Sequence, residues 1–229
     1  MVYRKSLFVL AFCVAACAAS AAGLDGISKA DASAGVKAAL SKGADFAVST
    51  LGKENGFLGN SKVKIPLPES LAKAEKAMRM FGMGKQADEL VDTMNHAAES
   101  AVAQAKPILV DSINKMTIDD AKAILTGGDD SVTNYFKRTS SASLQTKFTP
   151  IIKSATGKVQ LSEQYNKFAG KAAGLGLIDE KDADLDTYVT QKAMDGLFTM
   201  IAEQEKEIRA NPLAAGSALL KSVFGAAGN

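Results

Sequence analysis

Residues 184–209 read DLDTYVTQKAMDGLFTMIAEQEKEIR. Leu185, Tyr188, Val189, Ala193, Met194, Leu197, Phe198, Met200 and Ile201 recur there at helical spacing, and no proline interrupts them. Their apolar arc is wider than the single stripe of a surface helix. The stretch therefore predicts a central helix with others packed around it, which makes the fold class all-α. Glu203 to Arg209 turn highly charged and are expected to emerge into solvent, with Glu205 and Arg209 paired i,i+4 at the surface. Alternatively, Arg209 folds back onto a carboxylate such as Asp119 or Asp120 as a buried clamp.

Working outward, the same spacing predicts a helix over 28–54 with Asp31 and Ser33 near its start, and another over 69–81 stopped by Gly82 and Gly84. Between them Pro66 and Pro68 forbid regular structure, so 57–68 reads as an ordered loop with room for one short strand. Residues 85–114 form a long helical pattern with Leu90, Met94, Ala97, Ala98, Ala101 and Ala105 inward, kinked or split at Pro107. Thr117-Ile118-Asp119-Asp120 has capping-box spacing and opens a helix that ends at Gly127-Gly128. Helices over 130–138, 144–155, 162–173 and 213–224 complete a single multi-helix bundle-like domain of about eight or nine helices with no substantial sheet. No repeat and no linker divides residues 22–229.

The composition agrees. The chain has 229 residues, 47% hydrophobic and 23% charged, which suffices for one sizeable core and excludes wholesale disorder. Aromatics make up only 6%, Trp is absent, and Ala and Gly are plentiful, which suits closely packed helices.

The first 21 residues follow another logic. Arg4 and Lys5 precede an apolar run over 6–16 and a small-residue stretch over 18–22, the order of a secretory signal. The run is too short to span a membrane comfortably. Ala19-Ser20-Ala21 would release a chain from about Ala22. Val14-Ala15-Ala16-Cys17 has the form of a bacterial lipoprotein signal, with Cys17 as the lipidation site and the anchor. Both routes stay open, and both predict export to the periplasm, free or membrane-anchored. Removing residues 1–21 takes away two bases and no acid, leaving 25 basic against 25 acidic side chains. A neutral domain offers no gross electrostatic attraction for nucleic acid. Cys13 and Cys17 both lie in the signal, so the domain has neither a disulfide framework nor a thiol site.

Candidate chemistry is sparse. Asp92, His96 and Glu99 share one helix face, but His96 is the only histidine, and a solvated or ion-paired face accounts for the trio without a metal. The acidic run Asp179, Glu180, Asp182, Asp184 and Asp186 resembles a calcium loop, yet Thr187 stands where its glycine belongs and Ala193 where its last glutamate belongs. Ser70-Leu71-Ala72-Lys73 has the Ser-x-x-Lys spacing of penicillin-binding enzymes without their companion motifs. Gly82-Met83-Gly84 follows a helix rather than a strand, which makes it a turn rather than a nucleotide loop. Of the eight Met residues, Met1 falls in the signal and Met78, Met80 and Met83 cluster by the Gly turn; they suggest adaptable apolar surface, and core filling is a commoner role for Met than a ligand box. No cofactor or metal is called for.

Several segments together carry a resemblance. Lys64-Ile65-Pro66-Leu67-Pro68-Glu69, Met94-Asn95-His96-Ala97-Ala98-Glu99, Met116-Thr117-Ile118-Asp119-Asp120-Ala121, Thr133-Asn134-Tyr135-Phe136, Asp195-Gly196-Leu197-Phe198 and Glu207-Ile208-Arg209 are similar to segments of the bacterial domain-of-unknown-function family numbered 4197. The resemblance covers about residues 25–225. It implies a secreted, mostly helical protein with no established activity to transfer, and His96 departs from the family's more usual Arg. It also marks Asn95, Glu99, Asp120, Tyr135, Arg138 and Arg209 as a shared polar feature, either a site or a buried scaffold network.

Three functional classes follow. The first is a non-enzymatic envelope protein that binds a protein partner. The second carries a small apolar ligand or lipid between its helices and requires a continuous apolar cavity. The third is a hydrolase using Glu99, Asp120 or Ser70 and requires at least two of them to converge in a cleft.

Overall fold

The computed structural model describes residues 28–69, 79–80, 82, 84–159, 162–163, 165–166 and 184–211. Expectations for the signal, for Cys17 and Ser70, for the helix after Pro212, and for most of 69–81, 162–173 and the acidic run lie outside these residues.

The described residues are all-helical, without a strand. Six helices stand in them: α1 (Lys29–Leu51), α2 (Gly84–Val102), α3 (Lys106–Asn114), α4 (Ile118–Thr126), α5 (Ser131–Thr156) and α6 (Leu185–Ala210). The expected count of eight or nine is not reached among them. One cause is α5, read from sequence as two helices and in fact continuous. The Thr139-Ser140-Ser141 stretch looks like a break, yet each hydroxyl donates to the carbonyl four residues back, so no backbone group is diverted from the helix. Pro150 sits inside α5 on its exposed side, where water can take the carbonyl it frees. Pro107, by contrast, falls in the first turn of α3, where its missing N–H costs nothing, and there the 85–114 pattern splits.

Starts and stops are chemical. Ser28 and Asp184 accept from the backbone N–H three residues on and cap α1 and α6. Thr117 and Asp120 form the reciprocal capping box of α4 that their spacing predicts.

Helix α6 is central, packing against α5, α1 and α2, while α2 also packs on α5 and α1 covers α3 and α4. Its predicted apolar arc is buried except at Tyr188, which is half-buried. Its charged end departs from expectation: Gln204, Glu205 and Ile208 are buried too, because the first turn of α5 and the last turn of α4 close over them. Residues 52–68 cross α2 and α6 as an ordered strap of turns and extended chain, with Phe57, Ile65 and Leu67 buried. Phe57 seats on Gly196, where a Cβ would stand 2.5 Å from the ring; only glycine admits that contact. No described helix is long and apolar enough to cross a membrane.

Candidate functional site

The six polar residues singled out from the sequence fall into three places, and each place holds backbone. On α2, Asn95 and Glu99 lie one turn apart and face the strap. The Asn95 amide accepts from Ile65 N at 2.8 Å and donates to Ile65 O at 2.9 Å, closing both groups of one residue. The Glu99 carboxylate, 4% exposed, accepts from the N–H groups of Asn55, Phe57 and Leu58 at 3.2, 3.0 and 3.1 Å. Asn55 reaches it in the left-handed conformation, at φ 59°, which asparagine tolerates. His96 completes the site with Nδ1 at 2.7 Å from Glu99. The face read as solvated or ion-paired is therefore exposed at Asp92 and His96, and His96 pairs with Glu99, which is itself buried. Glu99 is buried because three donors replace its water.

The second place joins α3, α4 and α5. The Tyr135 hydroxyl donates to Ser112 O at 2.7 Å, and Arg138 lies over the Tyr135 ring while pairing with Asp120 at 2.7 Å. The Thr117 hydroxyl, the Thr117 N–H and Arg138 hold the Asp120 carboxyl below its ordinary range. Burial, reinforced by the Asp120 charge, pushes the Tyr135 hydroxyl up.

The third place is built on Glu205, which the sequence reading left at the surface. Its carboxylate, 4% exposed, accepts from Val132 N and Thr133 N at 2.8 and 3.0 Å and from the Thr133 hydroxyl at 3.1 Å. It thus caps α5 from another helix, where the helix dipole favours a negative charge. Arg209 pairs with it at 3.0 Å and donates to Ile124 O in the last turn of α4, so its anchor is Glu205 and Ile124 rather than Asp119 or Asp120. One signal was available: Glu205 sits four residues after Ile201 and three before Ile208, within the line of buried positions.

Glu99 and Asp120 share no hydrogen-bond partner among the described residues, and each carboxylate is engaged where it stands. No group of three or more His, Cys, Asp or Glu able to hold a metal occurs among the described residues.

Open space lies elsewhere. A small, partly open cavity of about 10 Å³ touches Gly43 and Glu205, enough for one water-sized probe. A groove of about 530 Å³ runs between α5 and α6. Phe198 lies along it with Lys137 Nζ 5.9 Å from the ring centroid. Asn134, Asp195, Thr199 and Glu203 contribute an amide, a hydroxyl and two carboxylates. Glu205 fixes this groove indirectly by pinning the first turn of α5 to α6. A second groove, about 720 Å³, lies along α1 beside Phe46 and Lys106.

The chain matches the model of the family described as "Protein of unknown function (DUF4197)" over residues 26–225, and it belongs to that family. No curated protein and no solved structure matches it.

Proposed function

We propose that this family member is an exported envelope protein that works by binding a protein segment in the α5–α6 groove, without catalysing a reaction. The observation that carries the reading is the composition of the groove: hydroxyl and amide groups and charges of both signs along two packed helices, with the buried Phe198 ring at its base. Such a surface matches a polar polypeptide, which offers backbone donors and acceptors together with charged side chains. The hydrolase reading would need at least two of Glu99, Asp120 and Ser70 to converge in a cleft, and Ser70 lies outside the described residues. Glu99 and Asp120 instead spend their oxygens on neighbouring groups in two different places.

Carriage of an apolar ligand is less well supported, because the small cavity found beside α6 is water-sized and the larger grooves are open and partly charged. The export reading rests on the signal-like order of residues 1–21, with release near Ala22 and lipidation at Cys17 as the two routes.

Native mass spectrometry of the chain purified from its own envelope tests the choice between binding protein and carrier. We expect a protomer free of small-molecule mass, beginning near Ala22 or carrying diacyl mass on Cys17. A stoichiometric small ligand that leaves on activation would replace this reading with the carrier, and an uncleaved N-terminus would remove the export part.

A further inference from the structure

We infer that the outer face of α5 docks on an anionic phospholipid surface. This goes beyond the groove and rests on different residues. From Ser131 to Ser162 the chain carries Lys137, Arg138, Lys147, Lys153 and Lys158 and no acidic residue. The rest of the chain carries three more acids than bases, so charge is segregated rather than scarce. Two of the five cations are engaged: Lys137 over the Phe198 ring and Arg138 on Asp120. Lys147, Lys153 and Lys158 are exposed, and none is held by an ion pair or a side-chain hydrogen bond among the described residues.

Their placement suits a flat surface. The buried positions Leu144, Phe148, Ile152 and Thr156 succeed one another every fourth residue and define the inner line of α5. Lys147 and Lys153 flank the opposite, outward ridge, where Thr146 and Pro150 project, and Lys158 follows just past the helix end. The span from Lys147 to Lys158 is about 16 Å at helical rise. Long lysine stems beside a low ridge can reach a plane of headgroups while the ridge stays at its level. The Thr146 and Thr149 hydroxyls are turned back to the carbonyls of Ala142 and Gln145, so the ridge presents few groups that need water.

Nucleic acid would meet the same lysines, but the described part of this face offers no aromatic ring for a base, and the chain's formal net charge is only +2. Each lysine near an anionic leaflet strengthens binding by about fivefold, so three give on the order of a hundredfold.

The test is co-sedimentation of the full chain with vesicles of equal parts phosphatidylglycerol and phosphatidylcholine, against phosphatidylcholine alone. The N-terminal segment contributes through its apolar run to both and through Arg4 and Lys5 to the anionic vesicles alone, so the native chain is compared with a variant that differs only at the three lysines. We expect a ratio on the order of a hundred at low salt, falling as salt rises. Replacing Lys147, Lys153 and Lys158 together by Gln should lower the ratio on the order of a hundredfold, and replacing all three by Arg should preserve it. Equal partition of the native chain overturns the inference. So does a Gln variant that keeps the ratio, an Arg variant that loses it, or tighter binding to duplex DNA than to the anionic vesicles.

Discussion

Replacing Glu99 by Ala removes one buried carboxylate and strands three backbone donors. The Phe57 N–H is wholly enclosed and has no route to water, so its loss costs the full desolvation of a buried donor, about 1–3 kcal/mol. The Leu58 N–H is half-buried and forfeits about 1 kcal/mol, while the Asn55 N–H lies at the exposed end of the strap and turns to solvent at little cost. The vacated side-chain volume adds about another 1 kcal/mol. The expected loss is about 3–5 kcal/mol, a large part of the stability of an ordinary domain. Urea unfolding measures it, and a fall in melting temperature of about 10 °C accompanies it. Glu99→Gln keeps one acceptor and should fall about midway. Hydrogen exchange localises the effect: the amides of Asn55, Phe57 and Leu58 should lose protection before those of α6. A loss below about 1 kcal/mol with unchanged exchange at Phe57 would refute the clamp.

Gly196→Ala should destabilise by about 1–3 kcal/mol, since the new Cβ meets a Phe57 ring that has no free space to enter; pairing it with Phe57→Leu should recover part of the loss in urea melts. Gly43→Ala should act in the opposite sense and raise the stability by about 1 kcal/mol, moving the urea midpoint upward, because Gly43 is helical, its Cβ would meet nothing within 4 Å, and it lines the small cavity. Asp120→Ala should cost about 1 kcal/mol at neutral pH through the lost capping box. The Asp120 carboxyl is held below its unfolded value, so its contribution is full above about pH 4 and is lost as pH falls through the lowered folded value; the deficit of the variant should shrink to nothing in acid urea melts.

Local chemistry was legible in the sequence wherever both partners lie within a few residues. The capping box at Thr117, the stop of α4 at Gly127, the split at Pro107 and the inner line of α2 each follow from spacing alone. What escaped depends on partners far apart in the chain. Glu99 is buried by donors 41 to 44 residues upstream and Glu205 by donors 72 and 73 residues upstream, and their own helices announce at most the position, as Ile201 and Ile208 do for Glu205, never the donors. Its charge made Glu205 look like a surface residue and left Glu99 between an ion-paired face and a buried scaffold, although three or more donors make burial favourable. Helix α5 was divided for the converse reason: Thr139, Ser140 and Ser141 look like a break only until their hydroxyls are seen bonding within the helix. The α5–α6 groove was not legible at all, since it arises only when Asn134 and Phe198 are brought side by side.

A photo-crosslinking residue placed at Thr199 in the groove, and in a second chain at Ser154 on the outer side of α5, tests the binding surface most directly in cells that make the protein. The account predicts a discrete protein adduct from Thr199, lost when Asp195 and Glu203 are both replaced by Lys, and no such adduct from Ser154. Failure of Thr199 to capture any protein, or the same adduct from both positions, would contradict it.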